Sequence, residues 1–170
     1  MSVPRNVVKV EKERVSQVPI IPATTFNSGD MMKWDGTNFV ATPIVSGDAG
    51  NATSAALFIG VSNDTNPIAN LGQTIPDNRI TIITRGLCLF TIDDNATYFP
   101  GDAVTFGSDP QKVKKTGASG GAVIGYVSPE NSGFSNSSTT NNPVTGIAAT
   151  QGVTQLIIAI QPAFTHLTTI

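Results

Sequence analysis

Short hydrophobic runs, separated by turn-forming residues, recur along most of the chain. Many of the runs are rich in β-branched residues or alternate apolar and polar positions, which is typical of β-strands. The predicted strands are Met31–Trp34, Asn38–Thr42, Ala56–Ser62, Ile80–Thr84, Leu87–Ile92, Ala103–Phe106, Lys112–Lys115, Ala122–Val127 and Gln155–Ile160. Clusters of Gly, Asp, Asn, Ser and Pro lie between them, and Asp35-Gly36 is the clearest hairpin signal. The pattern predicts an all-β domain, with a helical turn or two at most, within Asn66–Gly72 or Gly146–Gly152.

Part of this pattern occurs twice. Phe26-x-x-Gly29-Asp30-x-Met32-x-Trp34 matches Tyr98-x-x-Gly101-Asp102-x-Val104-x-Phe106. Phe58-Ile-Gly60 is likewise similar to Val123-Ile-Gly125, and a β-rich run follows each of these segments. Each unit reads as a Gly-Asp turn that begins a strand, followed by a strand whose glycine allows close approach. Two such units could close one barrel; the alternative is chance similarity, because turn-strand patterns are few.

The two ends of the chain differ in charge. Charged residues crowd the first 14 positions, whereas the segment from Asn131 to Ile170 has none. The opening segment has few apolar residues with which to bury itself, so we expect residues 1–22 to form an arm, either a disordered tail or an extended segment that orders on a partner. Residues 23–170 are then a single β domain with long polar loops inserted at about 64–79 and 129–152.

Composition narrows the possible partners. Only 13% of residues are charged and the net charge is −2, so we expect neither nucleic acid nor membrane as a partner. With one cysteine, Cys88, and one histidine, His166, we expect no internal disulfide, no zinc site and no cofactor. The N-terminus is too charged for a signal peptide and no apolar run is long enough to cross a bilayer. We therefore expect a soluble protein made in a cytoplasm.

Candidate catalytic groups have simpler interpretations as turns. Gly117-Ala-Ser119-Gly-Gly121 matches the nucleophile-elbow spacing, but a strand rather than a helix is predicted to follow it. The aspartates beside glycines, such as Asp30 and Asp102, are typical of residues that accept hydrogen bonds from their own turn, with a metal as the alternative. We expect no enzymatic activity.

In sequence order, the motifs resemble those of the small capsid decoration, or cement, proteins of tailed bacteriophages. The likeness covers roughly residues 23–162. The motifs that carry it are Gly29-Asp30…Trp34, Phe58-Ile-Gly60-Val61, Ile82-Ile-Thr-Arg-Gly86-Leu-Cys-Leu-Phe90, Pro100-Gly-Asp102-Ala-Val104, Ile124-Gly125-Tyr-Val127 and the closing strand Leu156–Ile160. This resemblance implies a small β-barrel or β-tulip, frequent assembly as trimers, and attachment to the outside of the major capsid protein shell. The charged arm and the two polar insertions depart from the family pattern.

The resemblance implies a structural component of the virion, on the head surface, with the major capsid protein as its partner. The arm residues become candidates for capsid contact: Arg5, Val8, Lys9, Val10, Glu11, Lys12 and Arg14. A charge-free C-terminal segment would expose apolar surface in a monomer, so we expect a homo-oligomer, preferably a trimer. The oligomer-contact candidates are Leu156, Ile158, Ile160, Phe164 and Leu167.

The alternative function is a phage head-fibre base or a carbohydrate-binding β module. In that case the polar stretch Ser128–Gly146 would form the recognition surface instead of a mobile loop.

Overall fold

A computed structural model describes residues 11–21, 24–49, 51–64, 79–109, 111–117, 123–133, 147–148 and 155–161. Almost all regular structure in these ranges is β. The strands are β1 (Glu11–Pro19), β2 (Met31–Trp34), β3 (Ala41–Pro43), β4 (Phe58–Ser62), β5 (Arg79–Thr91), β6 (Thr97–Tyr98), β7 (Ala103–Phe106), β8 (Val113–Lys115), β9 (Gly125–Val127), β10 (Ile147–Ala148) and β11 (Gln155–Ile160). The helices are a five-residue α1 (Ala52–Ala56) and 3₁₀ turns at Ser46–Asp48 and Pro129–Gly133. The all-β prediction is confirmed.

One strongly curled antiparallel sheet of nine strands forms the body of the molecule. Its order is β3-β2-β4-β5-β11-β9-β7-β8, with β1 paired to β5, and β6 and β10 pair separately. The second half of this order mirrors the first, because β3, β2, β4 and β5 correspond to β8, β7, β9 and β11. The β2–β3 pair is the hairpin that Asp35-Gly36 predicted.

Backbone hydrogen bonds confirm that the sequence repeat is a structural repeat. Gly29 N donates to Ser62 O over 2.8 Å, and the matching Gly101 N donates to Val127 O over 2.9 Å. Asp35 N donates to Val40 O, and Gly107 N, at the same position of the second hairpin, donates to Lys112 O. The strand registers agree in the same way: Trp34 faces Ala41 as Phe106 faces Val113, and Val61 faces Ile83 as Tyr126 faces Ala159.

The long strand β5 belongs to both repeats. Its first part pairs with β1 and β4, and its second part pairs with β11. Val18 of β1 faces Ile80, just as Phe90 in the second part of β5 faces Leu156. The second part of β5 is therefore the counterpart of β1, and the first repeat begins inside the segment expected to be an arm.

Each repeat closes a ring of pairings around its own core. The ring of the first repeat runs β1-β5-β4-β2-β3 and is completed by a parallel bridge from Ile20 to Ala41; the bridge from Ile92 to Val113 completes the second. The first core comprises Val18, Ile20, Phe26, Met32, Trp34, Ala41, Ile59, Ile80 and Ile82. The matching residues of the second core are Phe90, Ile92, Tyr98, Val104, Phe106, Val113, Ile124, Leu156 and Ile158. Both units belong to one strongly curled sheet, which is consistent with the predicted small all-β barrel.

The helical turn lies where the pattern did not predict it. Helix α1 begins after Asn51, whose side-chain oxygen accepts hydrogen bonds from the backbone N–H groups of Thr53 and Ser54. Most of the expected helical segments, Asn66–Gly72 and Gly146–Gly152, lies outside the described residues, as does most of both polar insertions.

Candidate interaction surfaces

The expected arm is partly a strand of the fold. Residues from Glu11 to Pro19 pair with β5, and the side chains of Val18 and Ile20 are buried in the first core. The expectation that residues 1–22 extend free of the domain was therefore wrong from Glu11 onward. Val18 and Ile20 supply the apolar contacts that hold this strand to the domain. The sequence pattern did not indicate these contacts, because the residues before them are mostly charged.

Two arginines face each other across the outer sheet edge. Arg14 is the register partner of Arg85, and both side chains are exposed. The register is irregular on both sides of Arg14, and Arg85 has a further interaction within the chain. The pattern missed Arg85, because only the register brings it opposite Arg14. Of the other capsid-contact candidates, Glu11 and Lys12 lie in β1 opposite Leu87 and Gly86, whereas Arg5, Val8, Lys9 and Val10 lie outside the described residues.

The residues expected to contact other copies are mostly interior. Leu156 and Ile158 are fully buried and Ile160 is nearly so, all within the hydrophobic core of one chain. Because a residue packed inside its own chain cannot contact a neighbour, their assignment as oligomer contacts was wrong. Phe164 and Leu167 lie outside the described residues.

The two repeats meet at an apolar junction. One side of the junction is the junction face of the first repeat, formed by Met31, Ile44, Phe58, Val61 and Ile83. The ring of Phe58 packs edge-on against Phe106 of the second core, with centroids 5.7 Å apart. Gln111, from the second hairpin, accepts a hydrogen bond from Met31 N over 2.7 Å and donates to Ile44 O over 2.9 Å.

The hairpin of the first repeat has no such partner in the described part of the chain. Phe39 holds the position that corresponds to Gln111, yet its side chain is 76% exposed, whereas that of Gln111 is only 3% exposed. Phe39 also has a φ of 54°, in the left-handed region that β-turn residues such as Asn and Gly prefer. The sequence could have indicated that Phe39 is exposed, because this residue lies beside the Asp35-Gly36 turn.

The aspartates beside glycines stabilise turns, as predicted. Asp30 Oδ2 accepts from Asn27 N over 2.8 Å and Asp102 Oδ2 accepts from Phe99 N over 2.7 Å, at matching positions of the two repeats. Asp94 accepts from the Tyr98 hydroxyl. Burial and the nearby carboxylate of Asp94 both raise the pKa of Tyr98. Tyr98 therefore remains protonated and serves as a donor.

Lys112, Lys114 and Lys115 form a basic cluster in the second hairpin, and two of these lysines contact acidic groups of the domain itself. Lys115 Nζ lies 2.6 Å from Asp102 Oδ2, donates to Thr97 O and sits over the ring of Phe99. Lys112 Nζ lies 3.3 Å from Asp109 Oδ2.

A polar network ties α1 to the first repeat. Lys33 Nζ and Ser54 Oγ both donate to Asp48 Oδ1, and Val45 N donates to Asp48 Oδ2 over 2.9 Å. Burial raises the pKa of the Asp48 carboxyl, but the hydrogen bonds from Lys33, Ser54 and Val45 and the charge of Lys33 together lower it by more, so the pKa lies below its usual value. The network is internal and structural in character.

In the described ranges, no three His, Cys, Asp or Glu side chains are grouped so as to hold a metal ion, and no helix there is long and apolar enough to cross a membrane. Ser119 and His166 lie outside those ranges. No family model matches the chain, and no curated protein matches it.

Proposed function

We propose that the protein is a structural component of a tailed-phage virion that binds the outside of the major capsid protein shell and stabilises the head. It acts as a homo-oligomer, preferably a trimer, on the head surface. The proposal rests first on the ordered motifs that resemble decoration proteins. Those motifs lie at matched turns and strands of one curled sheet, so they belong to one fold rather than to scattered segments.

The observation that carries the proposal is the basic outer edge formed by β1 and β5. Arg14 and Arg85 are exposed and lie opposite each other, so this edge presents two positive charges with which an acidic surface can form charge-assisted hydrogen bonds. Arg85 also has an interaction within its own chain. β1 has β5 as its only strand partner along its length within the described residues. Its other edge presents backbone donors and acceptors to which a segment of a partner can add.

Binding of this kind stabilises a shell by mass action. A protein that binds the assembled lattice, and not its separated subunits, lowers the free energy of the lattice alone. A surface spanning two neighbouring capsid subunits adds its binding free energy to their contact. No turnover is required, and the protein needs no bound cofactor for this role.

Charge reversal at the basic edge tests the proposal. Heads assembled without the protein are mixed with the wild-type protein or with the Arg14→Glu/Arg85→Glu variant, and bound protein is measured after sedimentation. We expect the variant to lose occupancy by about tenfold or more, because it brings like charges together in a desolvated contact. Heads with bound wild-type protein should resist heating better than bare heads.

Arg79→Glu is the matched control, because Arg79 is an exposed arginine on the same strand that faces Pro19 instead of a charge. Its occupancy should stay close to that of the wild type. Equal occupancy for all three proteins would contradict the assignment of this edge to capsid binding. Failure of the wild-type protein to bind heads at all would contradict the proposed function.

The alternative, a head-fibre base or carbohydrate-binding module, predicts a different result. Such a protein would bind glycans on an array, and the Arg14→Glu/Arg85→Glu variant would bind them equally well. Most of the polar segment that would carry the glycan site lies outside the described residues.

A further inference from the structure

We infer that the contact between the two repeats inside one chain is repeated between chains, so that the first hairpin of one copy docks on the second repeat of another. The repeats provide the template: within a chain, the end of the second repeat carrying Phe106 and Gln111 receives the junction face of the first repeat. The first repeat has an end that matches this one, and the second repeat has a face that matches the junction face. Neither of these two surfaces is covered by another described part of its own chain.

The uncovered face of the second repeat is defined by the counterparts of the junction face. These residues, the open face, are Ala103, Thr116, Val123, Tyr126 and Ala159. Every residue of the junction face is buried, whereas every residue of the open face is partly or well exposed, with Tyr126 at 40%. Thr116 Oγ1 is shielded from solvent without a hydrogen-bond partner in the described part of the chain. Tyrosine is enriched at protein interfaces, and Tyr126 is the most exposed residue of this face.

The uncovered end of the first repeat carries the complementary residues. Trp34, the counterpart of Phe106, is only partly buried, and Phe39, the counterpart of Gln111, is the most exposed of the large hydrophobic residues in the described ranges. Gln111 meets Met31 and Ile44, so Phe39 would meet their counterparts, Ala103 and Thr116. The larger Phe39 is thus matched by smaller residues on the open face.

The contact between copies is expected to be weaker than the internal one. Within the second repeat, Cys88, Val127 and Ile160 extend the core toward the junction. Their counterparts in the first repeat are Ser16, Ser62 and Thr84, all polar. A more polar end of the first repeat helps to keep the separate copies in solution before they assemble. Because an end meets a face, the contact is head-to-tail and can close into a ring. The inference rests on the oligomeric part of the proposed function, but the contact requires no capsid, so it can be tested apart from capsid binding.

Disulfide trapping tests which surfaces meet. Phe39→Cys and Ala103→Cys are made separately in a Cys88→Ala background, and the two proteins are mixed and oxidised. We expect a covalent dimer that appears in the mixture and in neither protein alone. The matched control replaces Phe39→Cys by Val45→Cys, an exposed apolar residue that has no place in the proposed contact. A mixed dimer no more abundant than in this control would overturn the inference.

The two substitutions combined in one chain distinguish the other possible occupants. An internal disulfide with monomeric mass would show that the hairpin docks on its own chain, and it would overturn the inference. Dimers formed by the Phe39→Cys protein alone would indicate a two-fold contact, which would also overturn the inference. If another segment of the same chain covers the open face, Ala103→Cys will resist thiol reagents in a monomer, which also overturns it.

Phe39→Asn separates association from folding. Asn tolerates the positive φ at this position better than Phe, so the variant should melt at the wild-type temperature or above it. Its association constant, measured by sedimentation equilibrium, should fall by about tenfold or more through loss of the buried ring. Tyr126→Glu should weaken association to a similar degree. Unchanged association in both variants would show that these surfaces do not meet.

Discussion

The α-carbon of Gly60 lies so close to the backbone of β5 that a Cβ atom there would be 2.1 Å from the carbonyl oxygen of Ile83. Gly125 stands in the same relation to the second repeat, where a Cβ would lie 2.6 Å from the carbonyl oxygen of Ala159. Ile83 and Ala159 are themselves counterparts in the two repeats. The same close approach between strands therefore occurs twice, and in both places only glycine fits without backbone movement.

Replacing Gly60 by alanine should destabilise the protein strongly. The added methyl meets backbone atoms, and Gly60 has a φ of 137°, which L-residues rarely adopt. We expect Gly60→Ala to lower the free energy of unfolding by about 3 kcal/mol or more, measured by urea denaturation. Gly47→Ala is the control, since nothing lies within 4 Å of its added Cβ, and it should change stability by less than about 0.5 kcal/mol. Similar effects for the two variants would contradict the packing described here.

Two valines of β1 test whether this strand belongs to the fold. Val18 is 6% exposed and Val15 is 50% exposed, on the same strand. Val18→Ala should cost about 2 kcal/mol of stability by removing buried methyl groups, whereas Val15→Ala should cost less than about 0.5 kcal/mol. Thermal unfolding followed by circular dichroism measures both. Equal, small effects would mean that the segment is an arm after all.

Asn131 acts as a side-chain extension of the sheet. Its Oδ1 accepts from Ile157 N and its Nδ2 donates to Ile157 O, each over 2.7 Å, and the side chain is fully buried. Asn131→Asp keeps the shape but loses the donor and brings a carboxylate against carbonyl oxygens. We expect a loss of about 3 kcal/mol. Asn95→Asp, at an exposed position, should change stability by less than about 0.5 kcal/mol and serves as the control.

The Asp48 network predicts how stability depends on pH. Because the pKa of Asp48 is lower in the folded protein, its contribution is fully present above the unfolded value of about 3.9. It is lost as the pH falls through the folded value. Asp48→Asn should lower stability by about 2 kcal/mol at pH 7. The difference from wild type should shrink below about pH 4, in denaturation curves recorded from pH 7 to pH 2. A difference that is constant over this range would contradict the role given to Asp48.

The hydrophobic pattern predicted most strands but not their boundaries everywhere. Met31–Trp34, Ala103–Phe106 and Gln155–Ile160 have the predicted bounds. Two predicted strands, Ile80–Thr84 and Leu87–Ile92, are instead the single strand β5. Gly86 lies between the two predicted strands, and with a φ of 146° it continues one strand instead of turning the chain. Glycine marks a special backbone position in a sequence without saying whether the chain turns there.

The candidate surfaces were harder to predict, because they depend on contacts distant in sequence. The burial of Ile158 is decided by its pairing with Cys88 and Val127, so its apolar character alone could not separate a core residue from an interface residue. β1 was missed for a similar reason, since its partner β5 lies far along the chain. Extending the sequence repeat toward the N-terminus would have revealed β1. Val18 and Ile20 match Phe90 and Ile92, and the distance along the chain is the same as that between Phe26 and Tyr98.

Because β5 is shared, the two repeats are joined by an unbroken strand instead of a linker. A force that pulls the repeats apart runs along β5 and loads its rows of hydrogen bonds to β1 and β11 parallel to the strands. Bonds loaded in this way share the force and must break together, whereas bonds pulled at right angles open one after another. The molecule should therefore behave as a stiff mechanical tie along β5, able to carry tension from one repeat to the other without hinging between them.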